Sequence, residues 1–304
     1  MTDAPEVIAV GETMFSLVAL DGPLDEATSF RATHGGAESN TCVALVRLGR
    51  RAAWVSRLGT DPSGDRILAA LEAEGVQLSW VKRDPDRPTG LMLRDTVGTV
   101  RYYRTGSAAS AIAPDDLEGV PVEDARAVFG TGISPLLGRD PGRAIRALFR
   151  RARGMRVLDL NLRQGLWGSD RTVALIAPLL RSCDVVLGGV DEVRAFEDAS
   201  TTQGLARAFA RRGPGEVVVK GGRLGAGALD PEGRWHEVAP APVEDVDPVG
   251  AGDAFDAGYL HARLDGVDVP EALLEGARCG AAVAGTVGDA EGVLPVRSRS
   301  RRRR

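Results

Sequence analysis

The stretch Asp247-Pro248-Val249-Gly250-Ala251-Gly252-Asp253-Ala254-Phe255 places small residues and a carboxylate at the start of a helix-like run, Ala254 to Leu264. Small side chains there let backbone N–H groups approach a ligand closely. A helix start offers unpaired N–H donors and a partial positive charge, which suits an anion. An anion cradle formed by Gly250, Ala251 and Gly252, with Asp253 at its edge, has the parts needed to transfer a phosphoryl group to a hydroxyl. The donors hold developing charge, and the carboxylate takes the hydroxyl proton. The helix start favours the charged, weakly basic form of that Asp, which a loose transition state tolerates. The same residues would also serve as a tight turn with a capping Asp.

A second group of side chains suits a carboxylate ligand. Tyr102 and Arg104, two apart in the strand-like run Thr99 to Arg104, project from one face. Arg163 lies in Asp159-Leu-Asn161-Leu-Arg163, just beyond another strand. Arginine binds a carboxylate in a fork, so two arginines and a tyrosine converging on one site suggest an acid group. Solvated arginines, or arginines paired with acidic side chains, are the alternative.

These residues need elements to bring them together. Val7-Ile8-Ala9-Val10-Gly11 reads as a buried parallel strand, and Gly35-Gly36-Ala37-Glu38-Ser39-Asn40 as a small-residue loop feeding a helix, Thr41 to Leu48. Ala53 to Leu58 is the next strand, and Asp65 to Glu74 a helix. Thr89 to Asp95 and Thr99 to Arg104 follow without a helix between them, so they form a hairpin turning at Val97-Gly98. With the Phe15–Phe30 region they make a small sheet, a flap that would exclude water from a site. From about residue 125, strands and helices alternate regularly, which predicts a mainly parallel sheet covered on both faces. Ligands in such folds sit beyond the carboxyl ends of the strands. Asp159, Gly188-Gly189 and Lys220-Gly221-Gly222 all fall at predicted strand ends.

Composition narrows the classes. A formal net charge of −4 over 304 residues gives no global basic field for nucleic acid. The arginine-rich segment 297–304 reads as a disordered tail. Cys42, Cys183 and Cys279 are scattered, with no paired spacing, so a disulfide scaffold or zinc site is not expected and a reducing cytosol fits. No signal peptide and no apolar run of membrane-spanning length is present. GxxxxGK[ST], GxGxxG after the first strand and GxSxG are all absent, which disfavours P-loop enzymes, dinucleotide-binding oxidoreductases and serine hydrolases.

Together, Gly35-Gly36-Ala-Glu-Ser-Asn40 with Gly49 and Gly59, the Gly59-x-Asp61-x-x-Gly64 turn, and Asp247-Pro-Val-Gly250-Ala251-Gly252-Asp253-Ala-Phe255 resemble the signatures of the PfkB, or ribokinase-like, sugar kinases. The resemblance runs from Val7 to about Pro295. It implies a three-layer αβα sandwich with a mainly parallel sheet and a small β-strand lid, one kinase domain over 1–295, lid strands from about 12–34 and 88–106, and a tail at 296–304. It also implies a cytoplasmic enzyme using ATP and Mg2+, with copies paired through the lid or gathered in a higher homo-oligomer. Asp253 maps onto the family's base, and Gly250, Ala251 and Gly252 onto its anion hole. Lys220, Gly221, Gly222 and Gly225 resemble the nucleotide-side segment, and Glu192 the Glu of an Asn-x-x-Glu element that organises Mg2+. Here Gly189 replaces that Asn, Pro248 replaces a usual Thr, and Cys42 a usual Ser, Thr or Ala.

Within the family, Tyr102-x-Arg104, Ser107-Ala-Ala-Ser110 and Asn161-x-Arg163-x-x-Leu-Trp167 resemble 2-keto-3-deoxygluconate kinases. That resemblance implies that Tyr102, Arg104 and Arg163 hold the acid end of a sugar acid. Gly35, Gly36 and Asn40 would hold its hydroxyls, and the terminal hydroxyl would face Asp253. A fructokinase or other neutral-sugar kinase, and a non-catalytic sugar sensor on the same fold, are the alternatives.

Overall fold

In the computed structural model, which describes residues 4–95, 98–162, 170–243, 248–286 and 292–293, the chain opens with β1 (Val7–Val10), β2 (Met14–Ala19), β3 (Phe30–Gly35), α1 (Ala37–Arg47), β4 (Ala52–Gly59), α2 (Pro62–Ala73) and β5 (Val81–Asp84). The hairpin strands β6 (Leu91–Arg94) and β7 (Val100–Tyr103) follow, then β8 (Ala127–Thr131), α3 (Ser134–Leu137), α4 (Arg139–Arg151) and β9 (Met155–Asp159). Next come α5 (Asp170–Leu180), β10 (Val185–Gly189), α6 (Val190–Arg194), α7 (Thr202–Ala210) and β11 (Glu216–Lys220). The last elements are β12 (Ala226–Leu229), β13 (Trp235–Val238), α8 (Ala251–Leu264) and α9 (Val269–Ala284).

Among the described residues the main sheet has nine strands in the order β13-β12-β11-β10-β9-β8-β1-β4-β5. All neighbours from β11 through β5 are parallel; β12 and β13 close one edge antiparallel. The short apolar run of β1 sits wholly buried between β8 and β4. Its residues alternate between two cores. Val7 and Ala9 face one, with Leu45 of α1, Ile67 of α2, Phe255 of α8 and Leu273 of α9. Ile8 and Val10 face the other, with Leu148 of α4, Ile176 of α5 and Phe209 of α7. This is the expected three-layer αβα sandwich. From β1 the chain builds outward first through β4 and β5 and then through β8 to β11, so the winding reverses between β1 and β8. Beyond the carboxyl ends of the strands at such a reversal lies the crevice where this architecture holds ligands.

The second sheet is the expected flap. Its order is β3-β2-β6-β7, with β2–β3 and β6–β7 antiparallel and β2–β6 parallel. Val97 of the predicted Val97-Gly98 turn lies outside the described residues, as do Asp247 and the C-terminal tail.

Two expectations are corrected. Helix α1 begins at Ala37, not Thr41, so Glu38, Ser39 and Asn40 belong to its first turns rather than to a loop. Gly36 is its N-cap and needs no side chain: a Cβ there would lie 2.3 Å from the Glu12 carbonyl oxygen. Strand β5 was not expected, because an edge strand reading Val-Lys-Arg-Asp carries little apolar alternation.

Local caps explain the boundaries. Asp61 accepts from Gly64 N–H at 2.8 Å and Pro62 opens α2. Asp268 accepts from Glu271 N–H at 3.1 Å ahead of α9. The N-cap of helix α8 is Gly250, whose φ of +81° favours glycine. Helix α9 fixes that start in space. A Cβ on Gly280 would come within 2.9 Å of the Ala251 carbonyl oxygen, and one on Gly258 within 2.8 Å of Cys279 Sγ.

Candidate active site

The first turn of α8 meets the first turns of α1 over the ends of β9 to β11. Asp253 is buried there, and each of its carboxylate oxygens accepts from a side-chain amide. Asn40 Nδ2 donates to Oδ2 at 2.8 Å, and Asn161 Nδ2 to Oδ1 at 3.3 Å. Among the described residues, the Gly250 and Gly252 N–H groups have no acceptor, whereas Ala251 N–H turns back to Pro248 O at 3.3 Å. The cradle therefore offers the two glycine donors most directly. A Cβ on Gly252 would meet only Lys220 Nζ, at 3.7 Å. The protein itself leaves that space open, and an anion would fill it.

Lys220, at the end of β11, stands beside this opening between two carboxylates. Its Nζ is 3.1 Å from Asp159 Oδ1 and 2.8 Å from Asp256 Oδ1. Burial opposes its charge, but Asp159, Asp256 and Glu192 more than offset that and hold its ammonium well above the ordinary lysine range. Burial and the neighbouring Asp159 push Asp256 the other way for an acid, well above the usual carboxylate range, with Lys220 moderating the rise.

Two cavities meet at this point, sharing Lys220, Pro248 and Gly252. One, of about 390 Å³, runs between α8, α9 and the β12–β13 hairpin, and Gly222, Gly225 and Ala251 border it. The other, of about 410 Å³, lies under the flap. Asp253 and Gly250 stand at its base with Gly35, Gly36 and Asn40, while Tyr102 and Arg104 border it from the flap. Glu192 also lines it, with Oε2 accepting the Gly189 N–H at 2.8 Å. Thirteen of the singled-out residues thus converge on two adjoining cavities: Gly35, Gly36, Asn40, Tyr102, Arg104, Glu192, Lys220, Gly222, Gly225, Gly250 and Gly252, together with Ala251 and Asp253. Gly221 borders neither; its N–H closes the turn onto Gly225 O at 2.7 Å. Arg163 lies outside the described residues.

Several buried polar groups at the site carry no recognisable signal as single letters. Glu38, inside the glycine-rich stretch, accepts from Thr131 Oγ1 at 2.7 Å. Burial pushes its carboxyl up to about 7. Glu12, just after β1, forms an ion pair with Arg104 and accepts from Ser107 Oγ at 2.8 Å. Arg94 of β6 is also buried against the flap cavity. The Arg104 guanidinium packs 5.5 Å from the Tyr102 ring centroid, and its Nε is buried with no acceptor among the described residues.

A pfkB family carbohydrate kinase model matches residues 4–297. The chain is 33% identical over 304 residues to the 2-dehydro-3-deoxygluconokinase of Bacillus subtilis, covering 97% of this chain and 94% of the relative. It is 32% identical over 294 residues to the enzyme of the same name from Thermoproteus tenax, covering 94% and 90%. Among solved structures, a PfkB protein from Polaromonas sp. JS666 superposes with a TM-score of 0.84 at 38% identity, covering 95% of this chain and 99% of that one. With an anion cradle, a buried carboxylate and two adjoining cavities at the reversal of the sheet, the chain belongs to the pfkB family of carbohydrate kinases.

Proposed function

We propose that this protein transfers the γ-phosphoryl group of ATP to the terminal hydroxyl of 2-keto-3-deoxygluconate (2-dehydro-3-deoxygluconate), giving the 6-phosphate. The observation that carries the choice of an acid is Arg104. Its buried Nε lacks an acceptor among the described residues, and it borders the same cavity as Asp253, which Tyr102 and Arg94 also line. A sugar-acid carboxylate would supply the missing acceptor. Arg163 joins this set in our reading.

ATP fits the cavity bordered by Gly222, Gly225 and Ala251, with its terminal phosphate toward the open space at Gly252. Lys220 and the N–H groups of Gly250 and Gly252 hold the charge that spreads over the transferring group. Asp253, fixed by Asn40 and Asn161, accepts the proton of the attacking hydroxyl, and the flap keeps water out. Among the described residues no cluster of acidic, His or Cys side chains would hold a metal unaided. Mg2+, which keeps several waters and takes phosphate oxygens, would be organised indirectly by Glu192. When bound, Mg2+ neutralises phosphate charge.

We take 1–295 as one kinase domain with lid segments near 12–34 and 88–106, and 296–304 as a separate tail. No helix among the described residues is long and apolar enough to cross a membrane; a cytoplasmic site of action, where ATP is made, fits this reading. The exposed Leu20, Phe30 and Tyr103 on the flap suit pairing of two copies.

One observation favours a neutral sugar instead: Glu12 already offsets the Arg104 charge. ADP release measured with 2-keto-3-deoxygluconate, 2-keto-3-deoxygalactonate, fructose, ribose and adenosine separates the two. Arg104→Lys keeps a charge for Glu12 and loses the fork. It should raise KM for the keto-deoxy acid about 10- to 100-fold, the worth of a hydrogen bond to a charged group, with KM for ATP unchanged. Preferred turnover of fructose or ribose would discard the acid.

A further inference from the structure

Among the described residues Asn161 is the non-glycine residue with left-handed backbone, at φ +41°. Such a conformation is costly for a side-chain-bearing residue and persists where the surroundings enforce it, often at functional sites. The surroundings here are polar. Asn161 Nδ2 is 2.8 Å from Asp159 Oδ2 and 3.3 Å from Asp253 Oδ1. Both partners are carboxylate oxygens and can only accept, so the NH2 end of the amide must face them. The orientation of the amide is thereby fixed, and Oδ1 points away from both. Asn161 is 7% exposed, and Oδ1 is buried with no donor among the described residues. It borders the flap cavity that Asp253 also lines. A buried acceptor left without a donor carries a desolvation cost that a ligand hydroxyl would remove.

Taking the kinase reading above as its basis, we propose that Asn161 reads the sugar. Its NH2 group fixes Asp253, and its Oδ1 accepts a hydrogen bond from the substrate hydroxyl on the carbon next to the phosphorylated one. One side-chain amide then touches both the base and the neighbouring hydroxyl. The reacting hydroxyl lies against Asp253, so the group that reaches Oδ1, one amide width away, is its vicinal neighbour. The substrate class is a vicinal diol ending in the reacting hydroxyl. A structural role alone, as a bridge between Asp159 and Asp253, would involve the NH2 group and leave Oδ1 idle.

The test pairs a variant with an analogue. Asn161→Gly accepts the positive φ without strain, so it removes the amide while thermal unfolding confirms the fold. The sugar is whichever of the two keto-deoxy acids of the panel above turns over faster, compared with its analogue lacking the hydroxyl on the carbon next to the terminal one. For the wild type, kcat/KM should fall about 10- to 100-fold on losing that hydroxyl, the range for a site that hydrogen-bonds a substrate group. In Asn161→Gly the parent sugar should lose at least that much, and the analogue should fare no worse than the parent. Loss of the bond to Asp253 is common to both sugars and cancels in the ratio. A wild type indifferent to the hydroxyl, or losses that multiply in the variant, would overturn the proposal. A ribose, adenosine or fructofuranose unit as the fastest substrate carries a ring oxygen, not a hydroxyl, beside its terminal hydroxymethyl carbon, and overturns both the sugar-acid reading and this proposal. Turnover of no sugar at all overturns both.

Discussion

Asp253 is held at both oxygens by amides that come from segments 213 and 92 residues away. Such a carboxylate cannot swing, so as the proposed base it would receive a proton at a fixed place. Beside it Glu38 has a carboxyl that burial raises from 4.5 to about 7. Folded Glu38 therefore keeps a proton between these values where the unfolded chain has lost it. The stability this brings is present below pH 4.5 and is lost as pH rises through about 7. Glu38→Gln keeps an acceptor for Thr131 and removes the titration. The drop in unfolding free energy from pH 5 to pH 8, measured by urea denaturation, should shrink by up to about 3 kcal/mol. An unchanged drop would show that Glu38 is ionised in the folded protein. At this scale the sequence was legible where a motif has a conventional form: Gly250, Gly252, Asp253 and Asn40 all line one cavity of the candidate site. Glu12 and Glu38 acquire their meaning from Arg104, Ser107 and Thr131, distant in the chain, and a single sequence does not pair them; Asn161 stood in a legible pattern, but its bond to Asp253 did not.

Two glycine positions illustrate opposite demands within the elements that build the site. Gly36 caps α1 against the Glu12 carbonyl oxygen, 2.3 Å from where a Cβ would sit, so its smallness serves the fold. Gly252 in α8 faces open space beside Lys220, so its smallness serves a ligand. Gly252→Ala should therefore leave the thermal midpoint nearly unchanged while turnover falls about 100-fold, the usual cost of disturbing one oxyanion-type donor. Gly36→Ala should lower the midpoint by several degrees, as a clash of 1 to 3 kcal/mol does. Calorimetric scans and steady-state rates on both variants check this; a large loss of stability in Gly252→Ala would contradict it. Strands with continuous apolar runs, such as β1 and β11, were readable from periodicity. The start of α1 was not, since Gly35-Gly36 reads as a loop until the backbone of Glu12 is seen to cover it. Edge strand β5 lacks the pattern because one side of it meets solvent.

The molecule as a whole divides labour between a rigid sheet and a thin flap. Alternation of strands and helices after residue 125 predicted the parallel sheet correctly, while the parallel β2–β6 pairing inside the flap had no local signature. If two copies pair through the flap, light scattering should give the mass of two chains. Tyr103→Asp, which puts a charge on a 59% exposed flap position, should give that of one. A monomeric wild type would end that reading. The flap is also continuous with the reaction centre. Strand β3 runs through Gly35 and Gly36 directly into α1, where Asn40 grips Asp253, and Glu12, ahead of β2, grips Arg104 beyond β7. For protein engineering the flap, in its proposed role of recognising the sugar, is therefore not an interchangeable cartridge. A graft from another kinase that ends at the sheet boundary would sever the brace on Asp253. A graft extended to residues 12–14 and 34–41 would carry its own brace with it.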